Sequence, residues 1–171
     1  IGNTLMLTNA VAQVVKGGYT SNGNSSQNNV IINNTYVQVG AHDDSIAACI
    51  IGGHTLNGTA DNNTVTMSGG EVNSIQGGRG TIGSCGNKVI IQDGAVVEDL
   101  VQAGRSSAGI ISDNSIEMSS GNVRWLQAAR CKSKVDNNIK ILNNKIVMTG
   151  GWAYSAIAAD GDHGTATNNI V

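Results

Sequence analysis

One pentapeptide pattern recurs along the whole chain and restricts the fold more than any other feature. It is Asn, any residue, a Val/Ile/Leu, any residue, and a Met/Ile/Leu. It reads Asn3-Thr4-Leu5-Met6-Leu7, Asn28-Asn29-Val30-Ile31-Ile32 and Asn63-Thr64-Val65-Thr66-Met67, then Asn87-Lys88-Val89-Ile90-Ile91, Asn114-Ser115-Ile116-Glu117-Met118 and Asn144-Lys145-Ile146-Val147-Met148. A seventh, truncated copy begins at Asn168-Asn169-Ile170-Val171, so successive Asn positions differ by 25, 35, 24, 27, 30 and 24. Self-similarity at such a period is the mark of a solenoid. The period-two alternation inside each copy is the mark of a strand.

Each strand runs into a turn: Ser68-Gly69-Gly70, Gln92-Asp93-Gly94, Ser119-Ser120-Gly121, Thr149-Gly150-Gly151. A second strand follows, as in Glu71 to Ile75, Asn122 to Leu126 and Trp152 to Ala156. It closes in a pair of small residues, Gly17-Gly18, Gly52-Gly53, Gly77-Gly78, Ala103-Gly104, Ala128-Ala129 and Ala158-Ala159, read as a corner with little room for Cβ atoms. Strands this short cannot bury a face alone, so like must stack on like in successive coils, parallel and in register. The rows starting Leu5, Val30, Val65, Val89, Ile116, Ile146 and Leu7, Ile32, Met67, Ile91, Met118, Met148 then become interior ladders, and the Asn row stacks on itself through its side-chain amides. The predicted fold is all-β: a single parallel β-helix of about six coils over residues 1–171, right-handed by the crossover rule. Extra length falls around Tyr36 to Ser45 and Lys132 to Ile141, which read as loop insertions.

Composition agrees with a narrow interior. There is no Phe and no Pro, and aromatics are 3% of the chain, while Val, Ile, Leu, Ala and Met carry most of a 40% hydrophobic content. The charged fraction, 13%, is about half the usual value of roughly 25%. A net charge of −2 gives no basic field for nucleic acid or an anionic membrane. No apolar stretch approaches the ~20 residues of a membrane-spanning helix, and the first residues lack the charged region of a signal peptide, so the chain is read as a piece of a longer protein. Both ends cut through repeats, and the strand edges this leaves favour end-to-end self-association. Cys49, Cys85 and Cys131 form no metal-binding spacing; Cys85 and Cys131 both fall in the variable part of a repeat, which admits a bridge between neighbouring coils.

Catalytic patterns are sparse. The acids are scattered: Asp43 and Asp44 in the long insertion, then Asp93, Glu98, Asp99, Glu117 and Asp160, no two of these last five in one column of the aligned repeats. His42, His54 and His163 lie in three repeats, none paired with a nucleophile. Asp160-Gly161-Asp162-His163-Gly164 has the oxygen density of a calcium loop without a later acidic ligand. The Gly pairs lack the following Gly-Lys-Ser/Thr of a phosphate loop. The chain is therefore expected to have no catalytic activity of its own and to need no cofactor or metal; the insertion with His42, Asp43 and Asp44 is where that expectation is most exposed.

One column stands out. Aligned on the small pairs, three consecutive repeats read Gln76-Gly77-Gly78-Arg79, Gln102-Ala103-Gly104-Arg105 and Gln127-Ala128-Ala129-Arg130, with Tyr19, His54 and Asp160 at the Arg position elsewhere. Stacked coils place the three guanidinium groups about one strand spacing, ~4.8 Å, apart, where they repel unless they fan out, are solvated or share an anion. Gln76, Arg79, Gln102, Arg105, Gln127 and Arg130 are the candidate ligand site, for a small anion or acidic glycan; the alternative is a solvated Arg stripe over a structural Gln ladder. As an exposed stripe, the three arginines are expected to contribute little to the melting temperature. Trp125, Trp152 and Tyr154 are candidates for stacking on sugars.

Phrases such as Asn62-Asn63-Thr64-Val65-Thr66-Met67-Ser68-Gly69-Gly70 and Ala158 to Asn169 resemble the Gly- and Asn-rich repeats in passenger regions of bacterial type V autotransporters. The resemblance covers essentially all of the chain. It implies an extracellular β-helix displayed at the bacterial cell surface, outside the outer membrane rather than inserted in it, a virulence-associated adhesin or structural segment that presents loops and stripes to a cell-surface protein or glycan. Two other readings compete. A polysaccharide-acting β-helix enzyme needs converging carboxylates, and an ice-binding solenoid needs an array of Thr of which Thr64-Val65-Thr66 is one instance.

Overall fold

Every copy of the pentapeptide is paired in parallel with the next, in the register the sequence repeat demands: Leu5 opposite Val30, Val30 opposite Val65, Val65 opposite Val89, Val89 opposite Ile116, and Ile116 opposite Ile146. The computed structural model describes residues 2–37, 50–133 and 138–171, and shows a parallel β-solenoid of about six turns. No helix occurs among the described residues. His42, Asp43, Asp44 and Cys49 lie outside them, as does part of the second insertion.

Each coil has three faces. The first follows the Asn and is seen alone in Lys88–Gln92, Ser115–Met118 and Lys145–Met148. The second is long, as in Val96–Ser106 and Asn122–Cys131. The third is short: Gly83–Cys85, Ile110–Ser112, Lys140–Leu142 and Thr165–Thr167 make a four-stranded sheet of their own. In the third coil the first two faces run on as one strand, Thr64–Arg79, although Gly69 and Gly70 sit at φ 67° and 79°. The turn bends the ribbon without breaking its pairing.

Alternation on the first face sorts the side chains. Val65, Val89, Ile116, Met67 and Ile91 are fully buried, whereas the outward partners Thr66, Ile90 and Glu117 are not. The Asn row is a continuous hydrogen-bonded ladder. Nδ2 of Asn3, Asn28, Asn63, Asn87, Asn114 and Asn144 each donates to Oδ1 of the next Asn at 2.8–2.9 Å. That Oδ1 also accepts the backbone N–H of the same donor residue at 3.0–3.4 Å. The last rung is Asn169, not Asn168, so the final spacing is 25 (169 − 144) rather than 24. Asn168 instead holds the position before the rung, and that position has positive φ in all seven coils: Gly2, Gln27, Asn62, Gly86, Asp113, Asn143 and Asn168, between 55° and 71°. A left-handed residue there turns the chain so that the next side chain points inward. Four of the seven are Asn or Asp, among the residues that tolerate this region best after Gly.

The small pair is not a turn that ends a strand, as the sequence suggested. Gly53, Gly78, Gly104 and Ala129 are in register within continuous strands, and none of them has positive φ. Both members face inward. Ala128 packs in the larger apolar cluster and Ala129 in a smaller one with Ile111, Cys131, Ile139 and Ile141, so the long face bends between them. The Asn ladder lies against this bend. A Cβ on Gly78 would stand 2.5 Å from Cγ, Oδ1 and Nδ2 of Asn87, which is why the column is small.

The large insertion is located by its flanks. Val37 pairs with Val72 and Ile50 with Ile75, so twelve residues of sequence separate Val37 from Ile50 where two, Asn73 and Ser74, separate Val72 from Ile75. At this same point the long face carries a bulge between Val72 and Ser74 and between Val123 and Trp125. The chain thus admits extra residues at one corner without disturbing the stack.

Cys85 and Cys131 do not meet. Cys85 is on the third face opposite Ser112 as a free thiol donating to Ile110 O at 3.5 Å, whereas Cys131 is a core residue at the end of the long strand opposite Ser106. Cys131 is thus a core position, not a variable one.

Candidate functional site

The long face bends at the small pair, where Ala128 and Ala129 pack into separate apolar clusters. Because two consecutive residues there point into the core, the outward residues on either side of them, Gln and Arg, are brought over one another. The register confirms the alignment read from the sequence: Tyr19, His54, Arg79, Arg105, Arg130 and Asp160 form one column, and Ile51, Gln76, Gln102, Gln127 and Ile157 the other. Arg79, Arg105 and Arg130 are each partly exposed, whereas Gln102 is fully buried and Gln76 and Gln127 nearly so. The sequence treated the glutamines as neighbours of the arginines; the structure makes them the floor of the groove.

The floor is a one-way relay. Gln102 Nε2 donates to Gln127 Oε1, and Gln127 Nε2 donates to Asp160 Oδ2 at 2.6 Å. The same carboxylate oxygen lies 3.5 Å from Arg130 Nε. The side-chain oxygens of Gln76 and Gln102 are buried without a hydrogen-bond partner. Asp160 thus caps one end of the basic column, held by a Gln and an Arg three residues apart. At the other end Tyr19 meets His54 edge to face with ring centroids 5.2 Å apart, and Lys16 Nζ stands 5.0 Å from the Tyr19 ring centre.

Arg105, the middle arginine, pairs with Arg79 on one side and Arg130 on the other. Burial lowers its pKa to about 10, and repulsion from Arg79 and Arg130 adds to the effect. The sign follows directly. A cation whose folded pKa lies below its unfolded value opposes folding while charged, so stability rises as the pH climbs through about 10 toward the unfolded value. This departs from the exposed stripe that the sequence suggested. Arg105→Gln is accordingly expected to raise the melting temperature at low salt by about 1–3 °C, the gain shrinking as salt is added. An unchanged or lowered Tm in a salt series of thermal melts contradicts this account of the column.

Beside the acid-capped end lies a cleft of about 350 Å³, lined by Asp99, Leu100, Trp125, Gln127, Arg130 and Asp160 among others. Asp99 and Asp160 are in different columns, as the alignment held, yet they line one cleft. The bulge explains this: the fourth coil has three residues between Val97 and Val101, namely Glu98, Asp99 and Leu100, where the third has only Asn73 and Ser74 between Val72 and Ile75. Repeat alignment misses such a meeting because it assumes that columns do not slip. Trp125 forms the wall, packed edge to face on Tyr154 with centroids 5.2 Å apart, and a second cleft beyond that wall is lined by Glu98, Arg124, Trp152 and Tyr154. The loop Asp160-Gly161-Asp162-His163-Gly164 gives Asp160 to the groove and leaves Asp162 and His163 exposed. Among the described residues no three His, Cys, Asp or Glu side chains gather to hold a metal.

Comparison with known proteins returned no match to a protein-family model, to a curated protein or to a solved structure.

Proposed function

We propose that this chain is a binding segment of a surface-displayed, adhesin-like passenger of the autotransporter type, which takes the acidic groups of cell-surface ligands in the groove along its bent face and has no catalytic activity of its own. One observation carries the reading. Asp160 is a carboxylate held between Gln127 Nε2 and Arg130 Nε, and the same Gln-x-x-Arg unit occurs at Gln102/Arg105 and Gln76/Arg79. There the residues in register with the arginines are other arginines or His54, not acids. Asp160 therefore stands where a ligand's carboxylate would stand one and two coils away. Arg suits this role because its planar donor fork matches a carboxylate or sulfate and keeps its charge. A bound anion would also relieve the repulsion that lowers the pKa of Arg105. Cell-surface glycans and proteins rich in acid groups are the partners this chemistry recognises.

A glycan array and whole-cell binding, each run as a salt series, test the reading. The chain is expected to favour acidic glycans, with affinity falling as salt rises. The triple change Arg79→Gln, Arg105→Gln, Arg130→Gln is expected to weaken that binding by about tenfold or more. Binding that survives the triple change intact removes the groove from the mechanism. The enzyme reading has one observation in its favour, the shared cleft of Asp99 and Asp160. Turnover of an acidic polysaccharide that stops in Asp99→Asn would establish it in place of simple binding.

A further inference from the structure

The chain has five aromatic residues, two Trp and three Tyr, and its interior is built from aliphatic side chains. Three of the five, Trp125, Trp152 and Tyr154, gather on the outside of two adjacent coils. They do not fill the core: Trp152 is 56% and Tyr154 67% exposed. Large rings left in water forgo the burial free energy that would otherwise hold them, and their concentration at one corner marks a surface suited to a partner. The corner is also the bulge, where the outward residues Glu98, Asp99 and Arg124 add acceptors and a donor. Rings set among carboxylates suit a ligand with an apolar face and a rim of hydroxyl groups: the C–H face of a pyranose lies on an aromatic ring while its hydroxyls donate to acids.

We infer that the two clefts flanking the Trp125–Tyr154 pair form a saccharide subsite, in which a sugar ring stacks on Trp125, its hydroxyls donate to Asp99, and its acid group is carried on the neighbouring arginine column. The ligand class is thus a hexuronic acid chain lying along the groove. The assignment of the acid group rests on the reading above; the ring subsite has its own observations. An acidic peptide would serve the arginines equally but would bring its charges against Asp99, Asp160 and Glu98, and it has no hydroxyl rim to offer them.

The chain's two tryptophans allow a direct test, because Trp152→Phe leaves Trp125 as the only Trp fluorophore. That variant is titrated with a mannuronic acid tetramer, the neutral mannose tetramer and tetraglutamate. The uronate is expected to give a saturable change in Trp125 emission and to bind more tightly than the other two. The neutral sugar is expected to give the same spectral change at higher concentration. Tyr154→Ala, made at an exposed position so that folding is preserved, is expected to weaken uronate binding by about threefold to tenfold. Loss of affinity in the triple arginine variant with no Trp125 response and no effect of Tyr154→Ala overturns the subsite and leaves the arginine reading standing. A Trp125 response with full sensitivity to Tyr154→Ala but none to the triple change upholds the ring subsite and rejects the arginines. Tetraglutamate binding as tightly as the uronate, or no uronate binding at all, overturns the inference.

Discussion

Replacing Asn114 by Ala should lower the unfolding free energy by about 3–4 kcal/mol, the largest effect we expect from any single change in this chain. Asn114 is fully buried. Its Nδ2 donates to Asn144 Oδ1 and to Ser84 O, both at 2.9 Å, and its Oδ1 accepts from Asn87 Nδ2 at 2.9 Å and from Asn87 N at 3.0 Å. Alanine removes all four contacts at once, and the partners stay behind, out of reach of solvent. A buried polar group left unmade costs about 1–3 kcal/mol, and Asn87 retains donors to Ala60 O and Ser84 Oγ that soften the loss on one side. Chemical denaturation at equilibrium gives the difference. A loss below about 1 kcal/mol would mean that the ladder follows the fold rather than holding it. Because each rung touches only its neighbours, the same change at the terminal rung Asn3, which is exposed, should cost much less.

Gly78→Ala is the second. The added Cβ would sit 2.5 Å from three atoms of the Asn87 side chain, which cannot swing away without leaving its place between Asn63 and Asn114. Overpacking of this kind costs about 1–3 kcal/mol. The reverse change, Ala129→Gly, is expected to do far less, because the fifth coil already holds an Ala in register with Gly104. Denaturation midpoints of the two variants decide the matter. Equal losses would show that backbone entropy, and not the ladder, sets the size of this column.

What the sequence alone made legible, and what it did not, divides along a physical line. Rows of like residues in consecutive coils, such as Val65-Val89-Ile116 or Arg79-Arg105-Arg130, were read correctly, because like residues in stacked coils fall on one another. The left-handed position before each rung went unread although six of the seven residues there are Gly, Asn or Asp. At Asn62-Asn63 and Asn143-Asn144 the first member makes the turn and the second the rung. At Asn168-Asn169 the expectation put the rung on the first member, where the structure puts it on the second. The small pair was noticed, but its cause was not, since the Asn it faces lies nine or ten residues further on, as Asn87 does from Gly78 and Asn63 from Gly53. The cleft of Asp99, Trp125 and Asp160 was out of reach for another reason. It is made by the one extra residue of a bulge, and a site built on a departure from the repeat leaves no trace in the repeat.

The ladder also has a direction. All six side-chain bonds run the same way, each amide nitrogen donating toward the C-terminal coil and each oxygen facing the N-terminal one, with the backbone N–H of every donor residue aligned to match. In a parallel sheet the backbone dipoles point alternately up and down and largely cancel. The amide dipoles of the Asn stack do not cancel; they add head to tail, as peptide units do in an α-helix. The ladder therefore carries an internal electrostatic axis, its amide oxygens facing the N-terminal side and its amide donors the C-terminal side of every rung. Its sense along the chain is opposite to that of a helix, so wherever such a ladder ends a cation is favoured on its N-terminal side and an anion on its C-terminal side.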